Sequence, residues 1–255
     1  MHLPDASPAT EAAGDASGRP ALTPVGGGWE VDLGHLPEAP DAAEEAALDR
    51  LSAAIDEVHD AGGGTLRLWV RGDDPAPTAA AERLGLAVVR ELHQMRCPLP
   101  LDEEWSLDVR PFVVGQDEAA WVELNNRAFA WHPEQADMTV ADLRQREAEP
   151  WFDPAGFLLH ERDGQLAGFC WTKVHADHDP PLGEIYVIAV DPSAHRRGLG
   201  RQLVLAGLDH LHRAGLSVGM LYTEADNEPA LRLYLDLGFR VHSSDRVWAK
   251  DVAGP

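Results

Sequence analysis

Apolar positions recur with helical spacing over residues 41–60, where Leu48, Leu51, Ile55 and Val58 fall on one face and Gly62, Gly63 and Gly64 follow as a stop. The next run, Thr65–Val70, alternates, with Leu66, Leu68 and Val70 on one side, and reads as a strand. A helix over 76–84 and an extended segment over 86–96 follow, and the Pro-rich, acidic sequence at 98–105 reads as a linker. Beyond it the pattern becomes denser. Strands are predicted at Leu107–Val114, Phe157–Glu161, Gln165–Val174, Gly183–Val190 and Val218–Thr223, and helices over 116–129, 198–214 and Glu228–Leu237. Phe239–Trp248 reads as extended, and Asp163-Gly164 is a hairpin dipeptide. Residues 1–28, rich in Ala, Pro, Gly, Ser, Thr and Asp with few large apolar side chains, predict an unstructured leader. Strands interleaved with helices and a hairpin give an α/β class with a mixed α+β sheet.

The pattern repeats. Gly85 and Gly238 lie 153 positions apart, each between a leucine and an apolar residue. At the same offset His59, Ala61 and Gly62 match His212, Ala214 and Gly215, while Leu68, Asp73 and Val88 match Leu221, Asp226 and Val241. Several coincidences at one offset imply duplication of a helix–strand–helix–strand unit. The copies are unequal: opposite His195-Arg-Arg-Gly-Leu-Gly200 the first carries Ala42-Ala-Glu-Glu-Ala-Ala47, and opposite Tyr234 it carries Ala81. The first copy, 29–97, therefore reads as a degenerate half-domain before a complete domain at 106–255.

Composition removes several functions. The chain of 255 residues has 21 Lys and Arg against 43 Asp and Glu, a formal charge of −22, which excludes a duplex-nucleic-acid or anionic-membrane binder because phosphate backbones need dense cations. Any anionic ligand must meet a local device. No 18-residue apolar run suggests a membrane span, and the first residues have no secretory pattern. Cys97 and Cys170 stand alone, so neither a disulfide framework nor a zinc site is expected from them, and a cytoplasmic setting fits.

The local device is Val190-Asp191-Pro192 followed by His195, Arg196, Arg197, Gly198, Leu199 and Gly200, which joins an apolar strand to a helix. Glycines at 198 and 200 let backbone N–H groups converge on an anion, and the helix N-terminus with the two arginines adds positive potential. A Walker loop would need Gly-Lys-Ser/Thr, and a dinucleotide loop would need G-x-G-x-x-G; neither is present.

Taken with Asn227-Glu-Pro-Ala-Leu-Arg-Leu-Tyr-Leu-Asp-Leu-Gly-Phe239, this motif resembles those of the GCN5-related N-acetyltransferases (GNAT). The resemblance implies the GNAT fold and acetyl-CoA as co-substrate, with its pyrophosphate on amides of 195–201, so Arg201 is included. It implies that backbone of Ile188, Ala189 and Val190, splayed from the neighbouring strand, holds pantetheine, and that Asn227 and Arg232 contact the cofactor arm. His195 stands where the family usually has Gln, which affects a side-chain contact and leaves the backbone cradle intact. Trp131–Gln135, Trp171–His175, Gly183–Val187, Leu221–Asn227 and the Arg90–Arg96 segment narrow the resemblance to the mycothiol synthase family, which acetylates the cysteinyl amine of a cysteine–glucosamine–inositol precursor. It implies that Glu184 receives the acceptor amine, that Tyr234 protonates the departing thiolate, and that Glu134, Lys173 and Tyr222 bind the acceptor with Glu184. Read alone, Glu184 is also a strand carboxylate, Tyr234 a core aromatic and Asn227 a helix cap. A different small amine or protein N-terminus as acceptor, or a non-catalytic acyl-CoA sensor, stays open at this point. His175-x-Asp177-His178 has ligand-type residues but no evident third fixed ligand, so a solvated loop and no metal are expected. A monomer working on small molecules, without nucleic acid or membrane partners, completes the expectation.

Overall fold

The computed structural model describes residues 20–130, 137–194 and 198–255. Its elements run β1 (Ala21–Val25), β2 (Gly28–Asp32), α1 (Pro40–Asp60), β3 (Gly63–Val70), α2 (Pro75–Arg83), β4 (Ala87–Pro98), β5 (Arg110–Pro111), α3 (Glu118–Ala128), α4 (Val140–Glu147), β6 (Phe157–Arg162), β7 (Gln165–His175), β8 (Leu182–Val190), α5 (Leu199–Arg213), β9 (Val218–Glu224), α6 (Glu228–Asp236) and β10 (Arg240–Ala253).

The chain divides into two compact units. The first comprises, among the described residues, 20–94, 224–228 and 241–255; the second comprises 95–223 and 229–240. This differs from the boundaries predicted at 97 and 106. The cause is non-local strand pairing: β10 runs antiparallel to β3, with Arg246 opposite Val70 and Ala253 opposite Gly63, so the C-terminal strand completes the first unit. Sequence periodicity identifies a strand but not its partner.

In the first unit the strand order is β1-β2-β3-β10-β4. Its core is the α1 face Ala43, Ala47, Leu51, Ala54 and Val58 against Leu66, Leu68 and Val70. The helix register follows the predicted face: Leu51 and Val58 are fully buried, Leu48 and Ile55 pack at its margin, and the buried alanines between them let helix and sheet approach closely. Strands β1 and β2 form a hairpin with Gly26 and Gly27 in its turn at positive φ, so structure begins within the stretch read as a leader; residues 1–19 lie outside the described residues. Arg90 on β4 makes a two-nitrogen contact with Glu224 Oε1 at 2.7 and 2.9 Å, and its guanidinium also lies 5.5 Å from the Trp69 ring.

Several element boundaries coincide at the offset of 153. Helix α2 coincides with α6 at both ends, α1 ends where α5 ends, and β4 starts where β10 starts. Gly62 and Gly215, at φ 104° and 94°, and Gly85 and Gly238, at φ 72° and 91°, close equivalent turns with equivalent left-handed backbone.

In the second unit the order is β4-β9-β8-β7-β6-β5, where β4 contributes Met95–Pro98. One face carries an aromatic core: Phe157 stacks on Trp171 at 4.4 Å and on Phe112 at 4.5 Å, and Trp121 meets Phe157, Phe169 and Trp171 edge-on. The other face carries α5 and α6 over Met95, Cys97, Cys170, Ile185, Leu221 and Phe239. The predicted linker packs rather than spans: Leu101 and Trp105 join this core, and the Trp105 indole donates to Asp209 Oδ2 of α5 at 3.1 Å. Both cysteines are free and buried, and burial pushes the Cys97 thiol up to about 12, which leaves it an inert packing group.

Gly207 sets how close α5 comes to the sheet. A Cβ there would meet Ile185 Cδ1 at 2.7 Å and would run into Cys170 Sγ. Gly207→Val should therefore lower stability by about 1–3 kcal/mol through overpacking, measured by denaturant unfolding. An unchanged midpoint would contradict the close approach.

Candidate active site

The candidate site is built where β8 leaves β9. These parallel strands pair only at Gly183 with Gly219 and Glu184 with Met220, and their ladder goes no further. On its other side β8 keeps full pairing with β7, with Cys170 opposite Ile188, Phe169 opposite Ala189 and Gly168 opposite Val190. Residues 185–190 thus lie beyond the β8–β9 ladder, on the stretch where the resemblance places pantetheine along Ile188–Val190.

Past Val190 the chain turns. The Asp191 carboxylate accepts from the Ser193 N–H at 2.9 Å and hydroxyl at 2.6 Å, and Arg127 reaches its other oxygen at 2.9 Å. The Ser193 hydroxyl, with help from its amide and Arg127, holds this carboxyl below the ordinary aspartate range despite burial. Gly198 caps α5 at φ 68°, a backbone that a Cβ disfavours, and no side chain caps the helix. The first N–H groups of α5 are therefore an anion site in form. His195, Arg196 and Arg197 lie outside the described residues.

A pocket of about 400 Å³ joins these features, lined by Ile188, Ala189, Val190, Gly198, Leu199, Gly200 and Arg201 together with Tyr234 and the apolar Ala194, Val204 and Leu233. Seven of the residues expected at the cofactor thus meet in one cavity with Tyr234. The three apolar members were not anticipated, since leucine and valine carry no motif. The Arg201 guanidinium is committed to Glu103 at 2.6 Å, so its expected contribution rests on the backbone. Arg232 is on α6. Asn227 immediately precedes α6 and falls in the first unit.

Tyr234 is 8 % exposed, packs 5.8 Å from Phe239, and burial drives its phenol well above the ordinary tyrosine range. The hydroxyl is a proton donor throughout the neutral range and has no protein partner among the described residues.

Glu184 is on β8, four residues before Ile188 and so about 13 Å along the strand from it. Its side chain is buried, and its Oε2 lies 2.7 Å from His175 Nε2. Lys173, opposite Glu184 on β7, is also buried, with its ammonium 4.5 Å over Trp151 and 5.4 Å from the Tyr186 ring. Arg146 donates to the Tyr186 hydroxyl at 2.7 Å. Trp151, Tyr186, Arg146 and His175 were not singled out as site residues. A one-residue shift in the β7–β8 ladder after Trp171 decides which of them faces Glu184, and spacing alone does not reveal a bulge. Tyr222 is half-buried on β9, and Glu134 lies outside the described residues. The ligand-type atoms of His175, Asp177 and His178 do converge to within 4.8 Å of one another, but Asp177 and His178 are exposed and His175 is engaged by Glu184.

The comparisons fit this geometry. The model of the acetyltransferase (GNAT) family matches residues 119–239. The chain belongs to the GNAT acetyltransferase family. Within it, the chain is 54 % identical over 188 residues to a mycothiol acetyltransferase of Thermomonospora curvata, covering 71 % of this chain and 62 % of that protein. It is 45 % identical over 235 residues to a mycothiol acetyltransferase of Acidimicrobium ferrooxidans, covering 89 % of this chain and 76 % of the relative. The chain thus spans about three fifths of the length of the first of these relatives. Solved structures give the fold: a GCN5-related N-acetyltransferase of Sphaerobacter thermophilus superposes with a TM-score of 0.61 at 24 % identity, covering 83 % of this chain and 66 % of that one. A tandem GNAT protein of the clavulanic acid pathway gives 0.61 at 19 % identity, covering 92 % and 79 %.

Proposed function

We propose that the protein is an acetyl-CoA-dependent N-acetyltransferase that acetylates the cysteinyl amine of the cysteine–glucosamine–inositol precursor of mycothiol. The observation that carries this reading is the pocket in which the stretch of β8 beyond its ladder with β9, the α5 N-terminus without a side-chain cap and the Tyr234 phenol converge. The acceptor follows from relatives named mycothiol acetyltransferase.

In this reading the pyrophosphate of acetyl-CoA rests on amides of 195–201, and pantetheine runs along 190 to 188 toward the mouth of the splay. Backbone N–H of this strand polarises the thioester carbonyl, whose oxygen gains negative charge on attack. The acceptor amine is cationic near neutrality, since α-amino groups titrate at about 7.7–8.0. Glu184 binds the cation and takes its proton to pass to solvent, the neutral nitrogen attacks the carbonyl carbon, the C–S bond breaks as Tyr234 donates its proton to the sulfur, and the nitrogen loses its second proton as the amide forms, which balances the reprotonation of Tyr234. A phenol held protonated is suited to hydrogen-bond a developing thiolate. Lys173 and Tyr222, with Glu134, contact the polyhydroxyl part of the acceptor, while Arg232 contacts the cofactor arm. No step requires a metal. We read the segment 29–97 as a degenerate copy without a cofactor site, its sheet completed by β10, and the enzyme as a cytoplasmic monomer; no helix among the described residues is long and apolar enough to cross a membrane.

Free-CoA release measured with the cysteinyl pseudodisaccharide and a panel of simple amines tests the reading. Saturable turnover confined to the pseudodisaccharide is expected; turnover on other amines alone would remove the acceptor and keep the chemistry. Two smaller predictions belong to the cofactor pocket. Gly200 has room for a side chain, its Cβ meeting Leu233 and Val190 only at 4.0 Å, so Gly200→Asp should fold and place a carboxylate in the cradle. Acetyl-CoA affinity should fall at least about 10-fold from charge repulsion, read by titration calorimetry. The same titration on the unaltered chain should give one site. A stoichiometry of two would restore a cofactor site to the first copy, where Glu44 is bound to Arg83 at 3.2 Å in place of the Gly-rich turn.

A further inference from the structure

We infer that His175 is a positioning residue for Glu184, and that it fixes the carboxylate through which the acceptor amine is received. This rests on the proposed reading of Glu184 and adds a residue to it. His175 ends β7, and its Nε2 lies 2.7 Å from Glu184 Oε2 with both side chains largely buried, at 12 % and 9 % exposure. A bond to one carboxylate oxygen fixes the rotation of the group and leaves Oε1 as the oxygen that can face the amine. The other cation near this carboxylate in the ladder, Lys173, is turned to an aromatic box instead: its ammonium lies over Trp151 and beside Tyr186. The imidazole is thus the group bonded to Glu184 Oε2.

The arrangement also has a reason in the backbone. Glu184 faces Lys173 in the ladder, and His175 stands two residues beyond on the same strand, so both side chains share one face at the mouth of the hairpin. Without that bond the Glu184 side chain has other staggered rotamers, each misplacing the accepting oxygen. Holding a reacting group within a fraction of an ångström matters because small misplacements lower rate steeply.

The test uses the full chain, acetyl-CoA and the pseudodisaccharide. His175→Ala should lower kcat by roughly 10- to 100-fold, the scale expected for a misplaced reacting group, with acetyl-CoA affinity unchanged. His175→Gln, whose side-chain amide can donate to the same oxygen, should recover a substantial part of that loss, whereas His175→Leu should not. Wild-type rates from His175→Ala would overturn the inference and leave the Glu184 reading standing. A loss shared by acetyl-CoA affinity and thermal stability, or one unrelieved by Gln, would assign His175 to structure alone and overturn it equally. An unaltered protein that binds acetyl-CoA yet acetylates no amine would overturn the parent reading and this one with it.

Discussion

Tyr234→Phe should lower kcat by about 100-fold or more, the usual weight of a positioned proton donor, while leaving acetyl-CoA binding nearly unchanged. The ring stays, so its packing on Phe239 and its place in the pocket wall are kept; only the hydroxyl is lost. The pH dependence has a definite sign. Burial raises the phenol above its ordinary value of 10, so the donor form is complete at every pH below that and is lost only above it. No alkaline fall in kcat attributable to Tyr234 should therefore appear between pH 7 and about 9.5, given a tyrosine reference near 10. Steady-state kinetics with both substrates measure this. A variant within twofold of the parent would return Tyr234 to the role of a core aromatic.

Glu184→Gln should cost kcat/KM about 100- to 10,000-fold at pH 7, the range for loss of a general base. The replacement keeps the shape of the side chain and leaves an oxygen or nitrogen for His175, so packing in the β7–β8 hairpin is preserved. The acceptor amine is cationic below about pH 7.7–8.0 and neutral above it, so the need for a proton acceptor declines as pH rises. The deficit should accordingly shrink between pH 7 and 9.5. A deficit constant across that range would mean that Glu184 acts on something other than the proton of the incoming amine.

These predictions rest on residues that the sequence exposed unequally. The Gly198-Leu199-Gly200 turn and the β8 strand were legible because each belongs to a local pattern, glycine spacing and an unbroken β-branched run, whereas Tyr234 stood out only through the family resemblance. The offset of 153 was visible for the same reason, and α2 and α6 lie at that offset at both ends. Helix α4 was missed because only Leu143 of its eight residues is buried, which gives periodicity nothing to register. Its start did carry a signal, since the Thr139 hydroxyl and Asp142 carboxylate form a reciprocal capping box. The β1–β2 hairpin was hidden by a composition of Thr, Pro and Gly that resembles disorder. The strand Leu107–Val114 shrank to Arg110–Pro111 because Leu107 and Val109 pack against the α5 core instead of entering a ladder. What no local pattern could supply was register: the bulge after Trp171, which brings His175 to Glu184, and the pairing of β10 with β3, which assigns the last strand to the first unit.

The most direct test of the central claim is the identity of the product. Isotope-labelled acetyl-CoA and the cysteine–glucosamine–inositol acceptor would be incubated with the protein, and the labelled product analysed by mass spectrometry and NMR before and after hydroxylamine. The account predicts one acetyl group on the cysteinyl nitrogen, as an amide that hydroxylamine leaves intact. A label on sulfur or on a sugar hydroxyl, removed by hydroxylamine, or no label on this acceptor despite acetyl-CoA occupying its pocket, would contradict it.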